Sequence, residues 1–263
     1  LPGWPVYMGI VGPDSLLGES PSCASPVVGD ADGDGLPEVV ISRVFTNTST
    51  NLELTVFMFE HTGGFSKWAC NLEPSHSGVS VYATPAMCDV NGDREIDVLV
   101  ATAAGYQIQL NASDSTDHFN QSGVYLLNGS TGAIQWKTLL SNCHIYGAPV
   151  VADLEGDGRN EVIFGTANTS SAYRKVYILN GKTGSIEHSL SVPDWVMGSV
   201  GVGDLDEDGY LDIVAEVNVD NYGGSKAVVD HLAELGHRKL LYLAGPQLVS
   251  TAEERLHGFR DQC

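Results

Sequence analysis

Asp30-Ala-Asp-Gly-Asp-Gly-Leu-Pro-Glu38 decides the reading of this chain, because its pattern returns three more times. The counterparts are Asp89-Val-Asn-Gly-Asp-Arg-Glu-Ile-Asp97, Asp153-Leu-Glu-Gly-Asp-Gly-Arg-Asn-Glu161 and Asp204-Leu-Asp-Glu-Asp-Gly-Tyr-Leu-Asp212. Successive copies start 59, 64 and 51 residues apart. A small, apolar stretch precedes each copy, as in Ser25-Pro-Val-Val-Gly29. A largely β-branched run follows each: Val39-Val-Ile-Ser42, Val98-Leu-Val-Ala101, Val162-Ile-Phe-Gly165 and Ile213-Val-Ala-Glu216. Strand, acidic loop, strand is the structure this pattern predicts, since branched side chains suit a pleated surface and Asp-Gly suits a tight turn.

A second element repeats in step with the first. Val124-Tyr-Leu-Leu-Asn-Gly-Ser-Thr-Gly-Ala-Ile-Gln-Trp136 matches Val176-Tyr-Ile-Leu-Asn-Gly-Lys-Thr-Gly-Ser-Ile-Glu-His188 almost position by position, and Phe57–Trp68 is a diverged copy. Asn-Gly and Thr-Gly between apolar runs predict a hairpin, because these residues tolerate positive φ. Each full repeat therefore supplies four strands, two around the acidic loop and two around the hairpin. A four-stranded unit at this period is a propeller blade. The expected fold class is all-β, a partial β-propeller of about three and a half four-stranded blades over residues 1–216. A polar insertion near residues 103–123 accounts for the longest spacing.

The loops carry a specific chemistry. Carboxylate or amide oxygens stand at loop positions 1, 3, 5 and 9, and glycine stands at position 6 in three of the four copies. That alternation turns successive oxygens towards one point, and a backbone carbonyl at position 7 adds another. A shell of oxygens suits Ca²⁺ rather than zinc or copper. The expected ligands are Asp30, Asp32, Asp34 and Glu38; Asp89, Asn91, Asp93 and Asp97; Asp153, Glu155, Asp157 and Glu161; and Asp204, Asp206, Asp208 and Asp212. The carbonyls would come from Leu36, Glu95, Arg159 and Tyr210. Up to four Ca²⁺ ions are expected. Loop 2 has Asn91 in place of an acid and Arg94 in place of glycine, and is the expected weakest site.

Composition sets the boundaries of function. Lys+Arg is 13 against Asp+Glu 33 in 263 residues, a formal net charge of -20. Such a balance argues against nucleic acid or an anionic membrane surface as a general partner. With 43% hydrophobic and 17% charged residues the chain is not disordered, and no apolar run is long enough for a transmembrane helix. Fifteen of the 33 acids lie at the loop ligand positions, where metal would offset their repulsion. Asn-x-Ser/Thr sequons at Asn47, Asn111, Asn120, Asn128 and Asn168 lean towards an extracellular, glycosylated protein. Cys23, Cys70, Cys88, Cys143 and Cys263 form no zinc spacing; the first four make up to two disulfides or remain buried free thiols.

Residues 1–216 resemble FG-GAP/VCBS repeats, the calcium-loop blades of integrin α-chain propellers and of many secreted microbial proteins. The resemblance rests on the four acidic loops and implies the same metal ligands.

The repeat pattern stops after residue 216, and the charge changes with it. Residues 1–216 hold 27 acids and 8 bases, whereas residues 217–263 hold 6 acids and 5 bases. Asn221 and Gly223-Gly224 predict an accessible linker across 217–226. Beyond it the pattern predicts a helix over Ser225–Leu235, a buried strand over Lys239–Gly245 and a second helix over Ser250–Arg260. This α/β segment resembles part of the effector-binding domain of lac-repressor-family regulators, on His231-Leu232, Leu235-Gly-His-Arg238, Leu243-Ala-Gly-Pro246 and Glu254-Arg-Leu-His-Gly-Phe-Arg260. The resemblance implies that Arg255 contacts a sugar effector. Two segments of unlike architecture predict a fusion of fragments or a piece of a larger assembly.

No Ser-His-Asp order, phosphate loop or nucleotide fingerprint appears. His61, His76, His118, His144 and His188 are scattered as ordinary surface histidines would be. The leading expectation is a non-catalytic, calcium-stabilised surface module for adhesion or for binding a protein or glycan. Its alternatives are an accessory region of a secreted polysaccharide-degrading enzyme and a sugar sensor working through the C-terminal segment.

Overall fold

The computed structural model describes residues 24–48, 51–63, 66–72, 81–103, 121–168, 170–216, 221–242 and 250–263. The chain divides into two compact units, Leu1–Val217 and Asn218–Cys263.

Four sheets follow one another along the first unit. The first holds β1 (Val27–Gly29), β2 (Glu38–Thr48), β3 (Asn51–Phe59) and β4 (Ser66–Leu72). The second holds β5 (Ala86–Cys88), β6 (Asp97–Ala101), β7 (Gln121–Asn128) and β8 (Ile134–Ser141). The third holds β9 (Val150–Ala152), β10 (Glu161–Gly165), β11 (Lys175–Asn180) and β12 (Ile186–Ser191). The fourth is a pair, β13 (Gly201–Gly203) and β14 (Asp212–Val214). Each acidic loop joins a sheet's first two strands, each Gly-containing hairpin joins its third and fourth, and all pairings are antiparallel.

The apolar runs are continuous because the inner strands are covered on both faces. Val98 and Val100 of β6 pack with Val40, Val56 and Met58 of the first sheet. Their neighbours Leu99 and Ala101 point the other way, to Val162, Phe164 and Leu179 of the third. In β10 the same division sends Ile163 to Val200, Val202 and Ile213 beside the fourth sheet. A strand's two-residue period thus assigns alternate side chains to the two adjoining blades. Stacked, sequentially connected antiparallel sheets are propeller blades, as the repeats predict.

A tryptophan joins each of the first two blades to the next. The Trp68 indole donates to the Gly129 carbonyl at 2.8 Å, and Trp136 donates to Gly181 at 2.9 Å. The partner hairpins must be bare at that point. A Cβ on Gly132 would stand 2.6 Å from the Trp68 ring, and one on Gly184 would stand 2.5 Å from the Trp136 ring.

The second unit pairs α1 (Asn221–Glu234) with α2 (Ser250–Gln262). Gly258 lets α2 approach the α1 backbone, since a Cβ there would lie 2.2 Å from the Tyr222 carbonyl oxygen. Tyr222 Oη donates to Asp261 at 2.8 Å, and the Tyr242 and Phe259 rings lie 5.0 Å apart. Two expectations are corrected. Helix α1 begins at Asn221 and takes in Gly223 and Gly224, so the linker does not reach 226. Residues 239–242 are not in a strand, and 243–245 lie outside the described residues. A strand exists only where its N–H and C=O groups find a neighbouring strand, and the described residues of this unit offer none.

Candidate metal centres

The four loops share one internal hydrogen-bond scheme. The position-9 carboxylate reaches back to the position-2 amide: Glu38 to Ala31 at 2.8 Å, Asp97 to Val90 at 3.0 Å, Glu161 to Leu154 at 2.8 Å and Asp212 to Leu205 at 2.9 Å. The position-1 carboxylate accepts from the position-6 amide, in Asp30–Gly35, Asp89–Arg94, Asp153–Gly158 and Asp204–Gly209. The position-5 carboxylate accepts from the position-7 amide, so Leu36, Glu95, Arg159 and Tyr210 are tied to Asp34, Asp93, Asp157 and Asp208 at 2.8–2.9 Å. Each carboxylate is thereby held in place by backbone N–H groups.

The backbone makes a second demand that the sequence pattern did not bring out. Positions 4 and 6 both lie in the left-handed region. Gly33, Gly92 and Gly156 occupy position 4 at φ 78, 80 and 69°, but Glu207 holds it in loop 4 at 62°. At position 6 Arg94 adopts φ 73° where the other loops have glycine. Each non-glycine residue there crowds its Cβ against the following carbonyl.

Burial differs along each loop. Glu38 and Asp97 are fully buried and Glu161 is 6% exposed, while the loop tips are open. Burial pushes the carboxyls of Glu38, Asp97 and Glu161 above the usual carboxylate range, with their own backbone amides partly opposing the shift. Neighbouring acids add to it, Asp34, Glu60 and Asp30 at Glu38 and Glu187 at Glu161. Ligand oxygens of Asp30, Asp32 and Glu38 lie within 4.8 Å of one another, as do those of Asp204, Asp206 and Asp212.

The donor set fits a hard cation. Glu38 Oε1 is buried and has no hydrogen-bond partner, although Oε2 is satisfied by Ala31. A bare buried carboxylate oxygen is costly unless a positive charge meets it.

Two residues near loop 1 escaped the sequence reading. Glu60 occupies the hairpin position that Asn128 and Asn180 hold in the next blades. His61, expected to be an ordinary surface histidine, is half-buried, and it gathers with Glu38 and Glu60 in one potential ligand group. The divergence of this hairpin from its two asparagine-bearing copies was the signal available in the sequence.

The other expected site residues are ordinary in their surroundings. The Asn128 amide donates to Glu95 and that of Asn168 to the Asn142 carbonyl, so both sequon side chains already serve the blade. The side chains of Asn47, Asn111 and Asn120 lie outside the described residues, as does Cys23. Cys70, Cys88, Cys143 and Cys263 are free thiols, which excludes disulfides among Cys70, Cys88 and Cys143. Arg255 is exposed on α2. Among the described residues no helix is long and apolar enough to cross a membrane.

Comparison with known proteins agrees with both parts of the sequence. A stretch of 48 residues is 42% identical to the HTH-type transcriptional regulator CelR of Thermobifida fusca, covering 18% of this chain and 14% of that protein. Solved structures similar to this chain include quinohemoprotein alcohol dehydrogenase from Comamonas testosteroni, at 13% identity and a TM-score of 0.47 over 73% of this chain and 31% of that one. Others are BamB from Moraxella catarrhalis (14%, TM-score 0.39, 75% and 56%) and rhamnogalacturonan lyase YesW (16%, TM-score 0.35, 76% and 47%). The chain thus spans less than two thirds of the length of each. Residues 153–215, from the first aspartate of loop 3 through the third blade to the strand after loop 4, match the FG-GAP-like repeat.

Proposed function

We propose that the repeat unit is a non-catalytic, calcium-stabilised propeller module of an extracellular protein, serving adhesion or the binding of a protein or glycan. The observation that carries the calcium part is Glu38 Oε1, a buried carboxylate oxygen without a partner on a member of the Asp30–Asp32–Glu38 group. Asp30, Asp32, Asp34 and Glu38, with their counterparts in the other loops, would hold the ions. Calcium there would supply positive charge and fix the turn between the first two strands of each blade. A ligand surface is offered where loops 2 and 3 adjoin, at a cavity of 390 Å³ whose lining includes Asn91, Arg159, Asn160 and Lys182.

The reading is tested by thermal unfolding of the full chain in calcium and in excess chelator. At free Ca²⁺ about a hundredfold above the dissociation constant, each occupied loop adds about 2.7 kcal/mol of stability. Asp157→Ala should remove part of that gain. An unchanged Tm in chelator would overturn the calcium assignment. A glycan-turnover assay that detects cleavage would overturn the non-catalytic one.

A further inference from the structure

The hairpin that closes each of the first three blades carries a β-bulge, always at the same place. Pairing shifts between Met58 and Phe59, between Leu126 and Leu127, and between Ile178 and Leu179. The residue left without a partner opposite each shift is Lys67, Gln135 and Glu187 respectively. A bulge re-aims its extra side chain; here Lys67 and Gln135 reach the acidic loop of their own blade, and Glu187 bonds the hairpin asparagine of its blade.

Each does so with a different charge. Lys67 Nζ pairs with Asp32 and lies 3.0 Å from Glu60 Oε1, leaving the Asp32 side chain only 7% exposed. Gln135 Nε2 donates to Asp97 Oδ1 at 2.7 Å, and its Oε1 accepts from Asn91 Nδ2 at 2.5 Å. Glu187 Oε1 accepts from Asn180 Nδ2 at 2.9 Å, and its charge is felt at Glu161. One blade thus supplies a cation to its loop, the next a neutral amide and the third another anion.

We propose that the bulge residue tunes each loop's affinity for a divalent cation, and that Lys67 is a built-in counter-ion competing with metal at loop 1. The inference rests on the calcium reading of the loops. It places loop 1, rather than loop 2, under the strongest internal competition, where Glu60 also stands among the loop acids. It sets Glu187, without a counter-ion among the described residues, near loop 3. Lys67 holds Asp32 and Glu60 together when metal is absent and must leave Asp32 when metal enters. A like-for-like comparison exists within the chain, because Gln135 is the natural residue at this place in blade 2.

The test is Lys67→Gln in the full chain, with Glu187→Lys as its reciprocal, read by calcium calorimetry and by Tm in calcium and in chelator. Lys67→Gln should lower Tm in chelator, because the loop 1 carboxylates lose their counter-ion. The same variant should bind one calcium about tenfold more tightly, since a unit charge about 6 Å from a divalent ion is worth about 1.4 kcal/mol even at the dielectric of water. Glu187→Lys should weaken one site by a similar factor. A variant Lys67→Gln that lowers Tm equally in both conditions, with calcium binding unchanged, would mean that Lys67 only packs, and would overturn the inference while the calcium reading stands. If the unsubstituted chain takes up no calcium at any loop, the calcium reading and this inference fall together.

Discussion

The indole nitrogen of Trp136 donates to the Gly181 carbonyl oxygen at 2.9 Å, joining the second blade to the hairpin of the third. Trp68 and Gly129 repeat the contact one blade earlier. The position matching Trp68 and Trp136 in blade 3 is His188, exposed on β12, and the fourth sheet has no described hairpin to receive it. Trp136→Phe keeps a ring in place but leaves a buried carbonyl without its donor, an expected loss of about 1–3 kcal/mol. Gly184→Ala should be at least as damaging, because it adds a Cβ against the same ring at φ 69°. Urea unfolding of both variants checks this; a Trp136→Phe protein as stable as its parent would show that the contact is incidental.

Arg94 and Glu207 sit at left-handed positions that glycine fills in the sister loops. Arg94→Gly and Glu207→Gly should each stabilise the chain by about 0.5–1 kcal/mol, since relief of αL strain outweighs the added freedom of the unfolded chain. Gly156→Ala is the control and should move the midpoint the other way. Denaturant titration in excess chelator separates this backbone effect from any change in metal binding.

The raised carboxyls of Glu38, Asp97 and Glu161 set a pH dependence for the metal-free protein. Each binds its proton more tightly in the folded state than in the unfolded. Stability is therefore greatest at the acid end of the window and falls as pH climbs from the ordinary carboxylate range through the raised values. In chelator, Tm should rise as pH falls from neutral towards the ordinary carboxylate range, and Glu38→Gln should flatten part of that slope. In saturating calcium the trend should reverse, because protons then compete with the metal. A Tm in chelator that falls steadily on acidification would contradict the assignment.

Burial pushes the Cys143 thiol up to about 12 and the Cys88 thiol up to about 11. The thiolate is the reactive form, so neither should label in the folded state at neutral pH, whereas exposed Cys263 should. Alkylation followed by mass spectrometry, with and without denaturant, gives the comparison. Rapid modification of Cys143 in native protein would show that the blade 2–3 core opens readily.

The sequence alone determined the repeats, the strands around each acidic loop and the hairpins. Those are local matters: Asp and Gly dictate where the backbone turns, and branched apolar runs dictate where it extends. It also placed the change of architecture near residue 217, because the repeat and the acidic excess end together. Packing between segments distant along the chain settled the rest. The side of a blade on which Val98 or Leu99 packs depends on a neighbouring sheet that is distant in sequence. Lys67 and Gln135 read as unremarkable strand residues until a bulge in the pairing register brings them to the acidic loops. The tail shows the reverse error. Lys239–Gly245 has the composition of a buried strand, but residues 239–242 form none, because a strand is made by its partner's hydrogen bonds and composition cannot supply them.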